Sequence, residues 1–166
     1  METIKGGNHF RYWIQDGSSG NSSAIFLATS AEKPIAQQHD IIDDGYNLGR
    51  DWVIGNITGS PINTTALTNA STFEGTTTWA GYVYSSKISY VSRLLANSSE
   101  GVNHADHVPV GGRNAVDGLV AVVEVMIATI PENATTSAAR RVVDGMVVGK
   151  RVVGAVATLL LGAAVL

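Results

Sequence analysis

The chain has no cysteine among its 166 residues. This excludes disulfide staples, thiol nucleophiles and thiolate metal sites. Small secreted domains often lean on disulfides, but a body of about 130 residues can bury enough surface to fold without them. Charge is scarce as well, at 15% of residues. Up to Ser137, seven Lys/Arg stand against thirteen Asp/Glu, a net charge of −6. An acidic body with no basic patch argues against nucleic acid or anionic lipid as partner. Nucleotide-binding glycine patterns are missing too, since GGNHFR and GVNHAD lack the required spacing. There is no G-x-S-x-G nucleophile elbow, and Gly17–Gly20 (GSSG) reads as a turn. The opening METIKGGNHF lacks the apolar segment of a secretion signal.

What is present leans toward β structure and the cell exterior. Glycine numbers 18, and Ser plus Thr number 28, a turn-rich composition expected to fold as one domain. Of ten asparagines, six begin N-x-[ST] sequons: Asn21, Asn56, Asn63, Asn69, Asn97 and Asn133. Composition alone would give one or two, so six point to a glycosylating lumen and to exposed positions for each. Set beside the missing secretion signal, they imply that the chain is N-terminally incomplete. The alternative is that the sequons are accidental and the protein is cytosolic.

The C-terminus carries the most specific pattern. Ser137, Ala138 and Ala139 are small, Arg140–Arg151 is a charged spacer, and Val152–Leu166 (VVGAVATLLLGAAVL) is apolar to the last residue. Small site, spacer and terminal apolar tail match a glycosylphosphatidylinositol (GPI) attachment signal, with Ser137 as the lipid-bearing residue. A retained membrane anchor competes, although a spanning helix needs roughly 20 apolar residues. A docked core helix also competes. The expected organisation is a β-rich domain over 1–132, a small and polar spacer over 133–151, and a hydrophobic tail, read as a helix, over 152–166.

Within the domain, Phe10–Gln15 and Ala24–Thr29 read as strands around the turn Asp16–Ser23. Residues 30–50 read as irregular, Trp52–Ile57 as a short apolar stretch, and Asn56–Thr72 as a loop bearing three sequons. Thr76–Tyr84 (TTTWAGYVY) reads as a strand. A helix is expected after a Ser85 or Ser86 cap, on the spacing of Ile88, Val91, Leu94 and Leu95. Leu119–Ile130 reads as a long strand with Val123 on one face and Glu124 on the other, stopped by Pro131. The predicted fold is mainly β, an antiparallel β-sandwich with one short helix.

Four segments carry a family resemblance: Gly6–Trp13 (GGNHFRYW), Pro34–His39 (PIAQQH), Asp44–Arg50 (DGYNLGR) and Asn114–Gly118 (NAVDG). Over roughly Gly6–Ile130 the chain resembles uncharacterised secreted fungal surface proteins with a GGNHFRYW-type segment. The resemblance implies a secreted or GPI-anchored surface protein and transfers no catalytic residue and no cofactor.

Chemistry-bearing clusters are few. His104, Asp106 and His107 in NHADHV offer imidazole and carboxylate donors, but at no recognised metal spacing, so a solvated loop is the plain reading. His39 with Asp40, Asp43 and Asp44 lacks the ligand spacing of a calcium loop and reads as a turn. No metal ligand is therefore assigned. A glycosidase needs two carboxylates across a cleft, and Glu74 near Trp79 with Glu124 are the only candidates. Trp13, Trp52, Trp79, Tyr12, Tyr46, Tyr82 and Tyr84 are core residues or a sugar-stacking platform. The expected function is a non-enzymatic cell-surface glycoprotein, held at the membrane by the C-terminal lipid and associated with wall polysaccharide. The alternative is a secreted hydrolase of that polysaccharide.

Overall fold

Alternation with period two gives the strands Tyr82–Val91 and Val120–Thr129 a core face and a solvent face. The computed structural model describes residues 2–131 and Ala157–Gly162. A four-residue helix α1 (Glu2–Lys5) leads into strands β1 (Gly7–Gly17) and β2 (Gly20–Glu32), and helix α2 (Gly45–Thr58) follows. Strands β3 (Thr72–Trp79), β4 (Tyr82–Val91), β5 (Asn97–Ser98), β6 (Val116–Asp117), β7 (Val120–Thr129) and β8 (Ala157–Gly162) complete the order. The protein is mainly β, with antiparallel sheets and one long helix. One sheet has six strands in the order β1-β2-β8-β7-β4-β3, and β5-β6 form a small ribbon. The β2–β8 pair is parallel, and the other pairs are antiparallel.

Strand β7 alternates as its sequence requires. Ala121 and Val123 are fully buried, while Glu124 and Met126 on the other face are exposed. Val123 packs with Ile88, Tyr90 and Ile54 of α2, with Leu27 and Phe73 at the margin. A second core, built from Ile41, Tyr46, Val102, Val108, Ala115 and Val116, joins the start of α2 to the 97–119 region.

Three expectations within the domain are corrected. The segment Ser85–Leu95 is not a helix, because most of it is β4, hydrogen-bonded to β3 on one side and β7 on the other. Ser86, Ile88 and Tyr90 are its buried set, a period of two that the coincidental 3.6-like spacing of Ile88, Val91 and Leu95 obscured. The long helix instead spans Gly45–Thr58, so Asn56 lies on a helix rather than a loop. Its glycines lower helix propensity by about 1 kcal/mol each but permit close packing. A Cβ on Gly49 would sit 3.0 Å from the Ala31 backbone nitrogen. Near the other end of the helix, a Cβ on Gly75 of β3 would sit 2.2 Å from the Ile57 carbonyl. Finally, Thr76–Tyr84 is a hairpin rather than one strand. Ala80 (φ 49°) and Gly81 (φ 82°) form the two-residue turn between β3 and β4, as left-handed pairs do in tight hairpins.

Within the apolar tail, Ala157–Gly162 is a strand between β2 and β7 where the sequence predicts a helix. Short apolar runs fit either state by pattern alone, and ladders on both sides select the strand. Asn133, Ser137 and the spacer over 133–151 lie outside the described residues. Among the described residues, no helix is long and apolar enough to cross a membrane.

Candidate functional site

All four histidines of the chain converge on one region, although they come from three separate segments. His9 is on β1, His39 follows a 3-10 turn, and His104 and His107 lie in the loop before β6. A cleft of about 180 Å³ is lined by His9, His39, His104, Glu32, Tyr46 and Arg11, among others.

Two loops build this region. Residues 33–40 close at their neck through the Glu32–Ile41 bridge and a bond from Lys33 N–H to the Asp40 carbonyl. Residues 102–108 are anchored at both ends by buried Val102 and Val108. A single helical turn, in which the His107 and Val108 N–H groups donate to the His104 carbonyl, brings His104 and His107 to one side. Their rings meet edge to face, 5.4 Å apart. The Asp44 N–H donates to the Val108 carbonyl at 2.8 Å and locks the second loop to the start of α2. Left-handed backbone gathers here: Gln38, His39, Asp44 and His104 all have positive φ. Such conformations cost of order 1–3 kcal/mol each and recur at functional sites.

The side chains form two adjoining groups. In the first, the Glu32 carboxylate contacts His39 and accepts from the Ser30 hydroxyl at 2.8 Å, with His9 Nδ1 at 3.6 Å. Burial raises the Tyr46 hydroxyl pKa, and the Glu32 charge raises it further. In the second, Asp40 faces His104 Nδ1 at 3.1 Å and His107 Nε2 at 3.2 Å. His107 Nδ1 lies 3.0 Å from Asp106. Desolvation pushes the Asp40 carboxyl up, but His107, His104, the Ile41 N–H and Lys33 outweigh it and hold the pKa low. The hydrogen bond to Asp106 raises the His107 pKa against partial desolvation, with Asp40 adding to the rise.

The two clusters that the sequence presents separately are thus one site. Asp40 meets His104 and His107, and His39 lines the same cleft as His104, whereas Asp43 is exposed. Buried Asp44 is bound instead by Arg113 at 2.6 Å and by Asn47 at 2.7 Å. His9 and Glu32 were missed. His9 falls with His39 in the motif-like segments, whereas Glu32 lies outside them.

Those segments also explain each other. Asn8 donates to the Gly49 carbonyl at 2.9 Å. Arg50 binds Asp117 through two nitrogens at 2.7 and 2.9 Å, and Asp51 at 2.7 and 3.0 Å. Tyr90 donates to Asp51 at 2.7 Å, and the guanidinium lies 5.2 Å from the Tyr90 ring centre. Burial works against the Arg50 charge, but the bonds to Asp117 and Asp51 raise its pKa above normal. This assembly fastens α2 to β6 and carries no open coordination.

The two candidate glycosidase carboxylates, Glu74 and Glu124, line one open surface depression together with Lys87. Glu74, Lys87 and Glu124 stand in one cross-strand row on the exposed sheet face, with Lys87 between the two acids. The aromatics divide. Tyr46 is core, and its hydroxyl donates to the Asn103 carbonyl at 3.1 Å. Tyr12, Trp13 and Trp52 are exposed on β1 and α2. At the β3–β4 hairpin tip, Trp79 pairs with Tyr82, and Tyr84 stacks on Tyr82 at 6.2 Å and 25°. Trp79 is 77% exposed. Of the sequons, Asn21, Asn56, Asn63, Asn69 and Asn97 are all exposed. Comparison with protein-family models, curated proteins and solved structures gave no match.

Proposed function

We propose that this protein is a non-enzymatic glycoprotein of the cell surface that binds wall polysaccharide through the Trp79–Tyr82–Tyr84 strip. The strip carries the reading. Opposed residues of an antiparallel pair project to the same face, so the three rings form one aromatic band at a hairpin tip, with its largest ring solvated. Aromatic faces of this kind suit the apolar faces of pyranose rings. The five exposed sequon asparagines and the resemblance to secreted fungal surface proteins support the address, with Ser137 as the lipid attachment residue. Hydrolysis is the weaker reading, because the depression that holds Glu74 and Glu124 lies on an open strand face with Lys87 set between the two acids.

Sedimentation with insoluble β-glucan and chitin tests the binding. Wild type should co-sediment with one of them, and Trp79→Ala should lose most of that binding with an unchanged melting curve. Equal retention of the two proteins would end the proposal. The address is tested by expression with a supplied signal peptide in a eukaryotic host. Enzymatic deglycosylation should lower the apparent mass, and a phosphatidylinositol-specific phospholipase should release the surface protein.

One observation favours a second reading of the tail. Strand β8 lies between β2 and β7, a place in the sheet that a discarded signal would vacate. In that reading the mature protein retains Leu166 and is not released by the lipase. Mass spectrometry of the mature C-terminus separates the two.

A further inference from the structure

We propose that Asp40, His104 and His107 bind a divalent transition-metal ion, zinc being the natural probe, at the rim of the histidine cleft. The donor set is right in kind, since two imidazoles and a carboxylate form many open zinc sites. Its spacing is also right. Asp40 lies 3.1 Å from His104 Nδ1 and 3.2 Å from His107 Nε2, and one donor atom from each residue falls within 4.8 Å of the others. Metal–ligand bonds of roughly 2.0–2.1 Å place two tetrahedral ligands about 3.3 Å apart. Closure around an ion needs only a small swing of one imidazole.

The surroundings point the same way. Asp106 holds His107 Nδ1 at 3.0 Å, and Nε2 faces Asp40 at 3.2 Å and the Ile41 carbonyl at 3.3 Å, a bond that an ion would displace. A carboxylate on the far nitrogen is how proteins orient ligating imidazoles. The three side chains are about one-third exposed, giving an ion a path in and leaving coordination positions free. An ion-pair role alone accounts poorly for the left-handed backbone of His104. Half-exposed ion pairs contribute ~0–1 kcal/mol, less than such strain typically costs. Lys33, 3.5 Å from Asp40, is a cationic group that repels a bound ion. It marks Asp40 as the ligand whose charge is contested.

Calorimetric titration of the unglycosylated full chain with zinc, after chelator washing, tests the site. Wild type should bind one ion with micromolar or tighter affinity, and its melting temperature should rise with zinc and fall back with EDTA. His107→Ala and Asp40→Asn should each weaken binding at least about 100-fold. Asp106→Asn should weaken it about 10–100-fold, and Lys33→Gln should tighten it. His9→Gln and Trp79→Ala should leave it unchanged, so failure here is separate from failure of the polysaccharide reading. If the ligand variants fail to fold, cobalt(II) replaces zinc on wild type, and a visible band of a nitrogen- and oxygen-bound ion is expected. No heat and no thermal shift in wild type, or full affinity in folded His107→Ala, would overturn the proposal.

Discussion

Two ionic clusters sit at opposite ends of the first half of α2 and differ in almost every respect. The Arg50 cluster is sealed: its side chain is 2% exposed, and both partner carboxylates, the Leu119 carbonyl and the Tyr90 ring surround it. The histidine cluster is about one-third exposed, has one carboxylate shared between two imidazoles, and rests on left-handed backbone. A buried charge persists only when every bond is made, so the first cluster specifies the packing of α2 on β6 and leaves nothing for a ligand. The second leaves its donors reachable. Completeness of bonding, rather than the number of charges, separates structural ion pairs from a site.

Breaking the sealed cluster should have the largest effect. Asp117→Ala removes one of the two carboxylates that neutralise the buried guanidinium, and a loss of about 3–5 kcal/mol is expected in urea unfolding. A change below about 1 kcal/mol would show that the network is not buried in solution. Tyr90→Phe removes one bond to the buried Asp51 carboxylate and should cost about 1–3 kcal/mol. The two substitutions act on one network, so the double variant should be less destabilised than their sum.

In the open cluster the same kind of deletion should matter little without metal. His104→Ala should change metal-free stability by about 1 kcal/mol or less. A loss as large as that of Asp117→Ala would collapse the distinction. The sharpest discriminator is the chelator. EDTA should lower the melting temperature of zinc-loaded wild type and leave that of His104→Ala unmoved. The zinc-linked stabilisation should also fade as pH drops, because protons compete for the imidazoles.

Some of this was fixed locally in the chain. The alternation of Val120–Thr129 determined a strand with Val123 inward and Glu124 outward, since side chains of period two can serve only one core face. The Ser-Gly cluster determined the first hairpin turn, and composition determined a mainly β domain. Other features depended on the remainder of the fold. Helix α2 contains Gly45, Gly49 and Gly55, which argue against a helix until Ala31 and Ile41 are seen packed against the missing side chains. Strand β4 carried an apolar spacing that also suits a helix, and its ladders to β3 and β7 decided the matter. The histidine site was half visible in each of two loops. Only the Glu32–Ile41 bridge and the anchoring of Val102 and Val108 bring Asp40 to His104 and His107, because contacts between residues over sixty positions apart leave no periodic trace in the sequence.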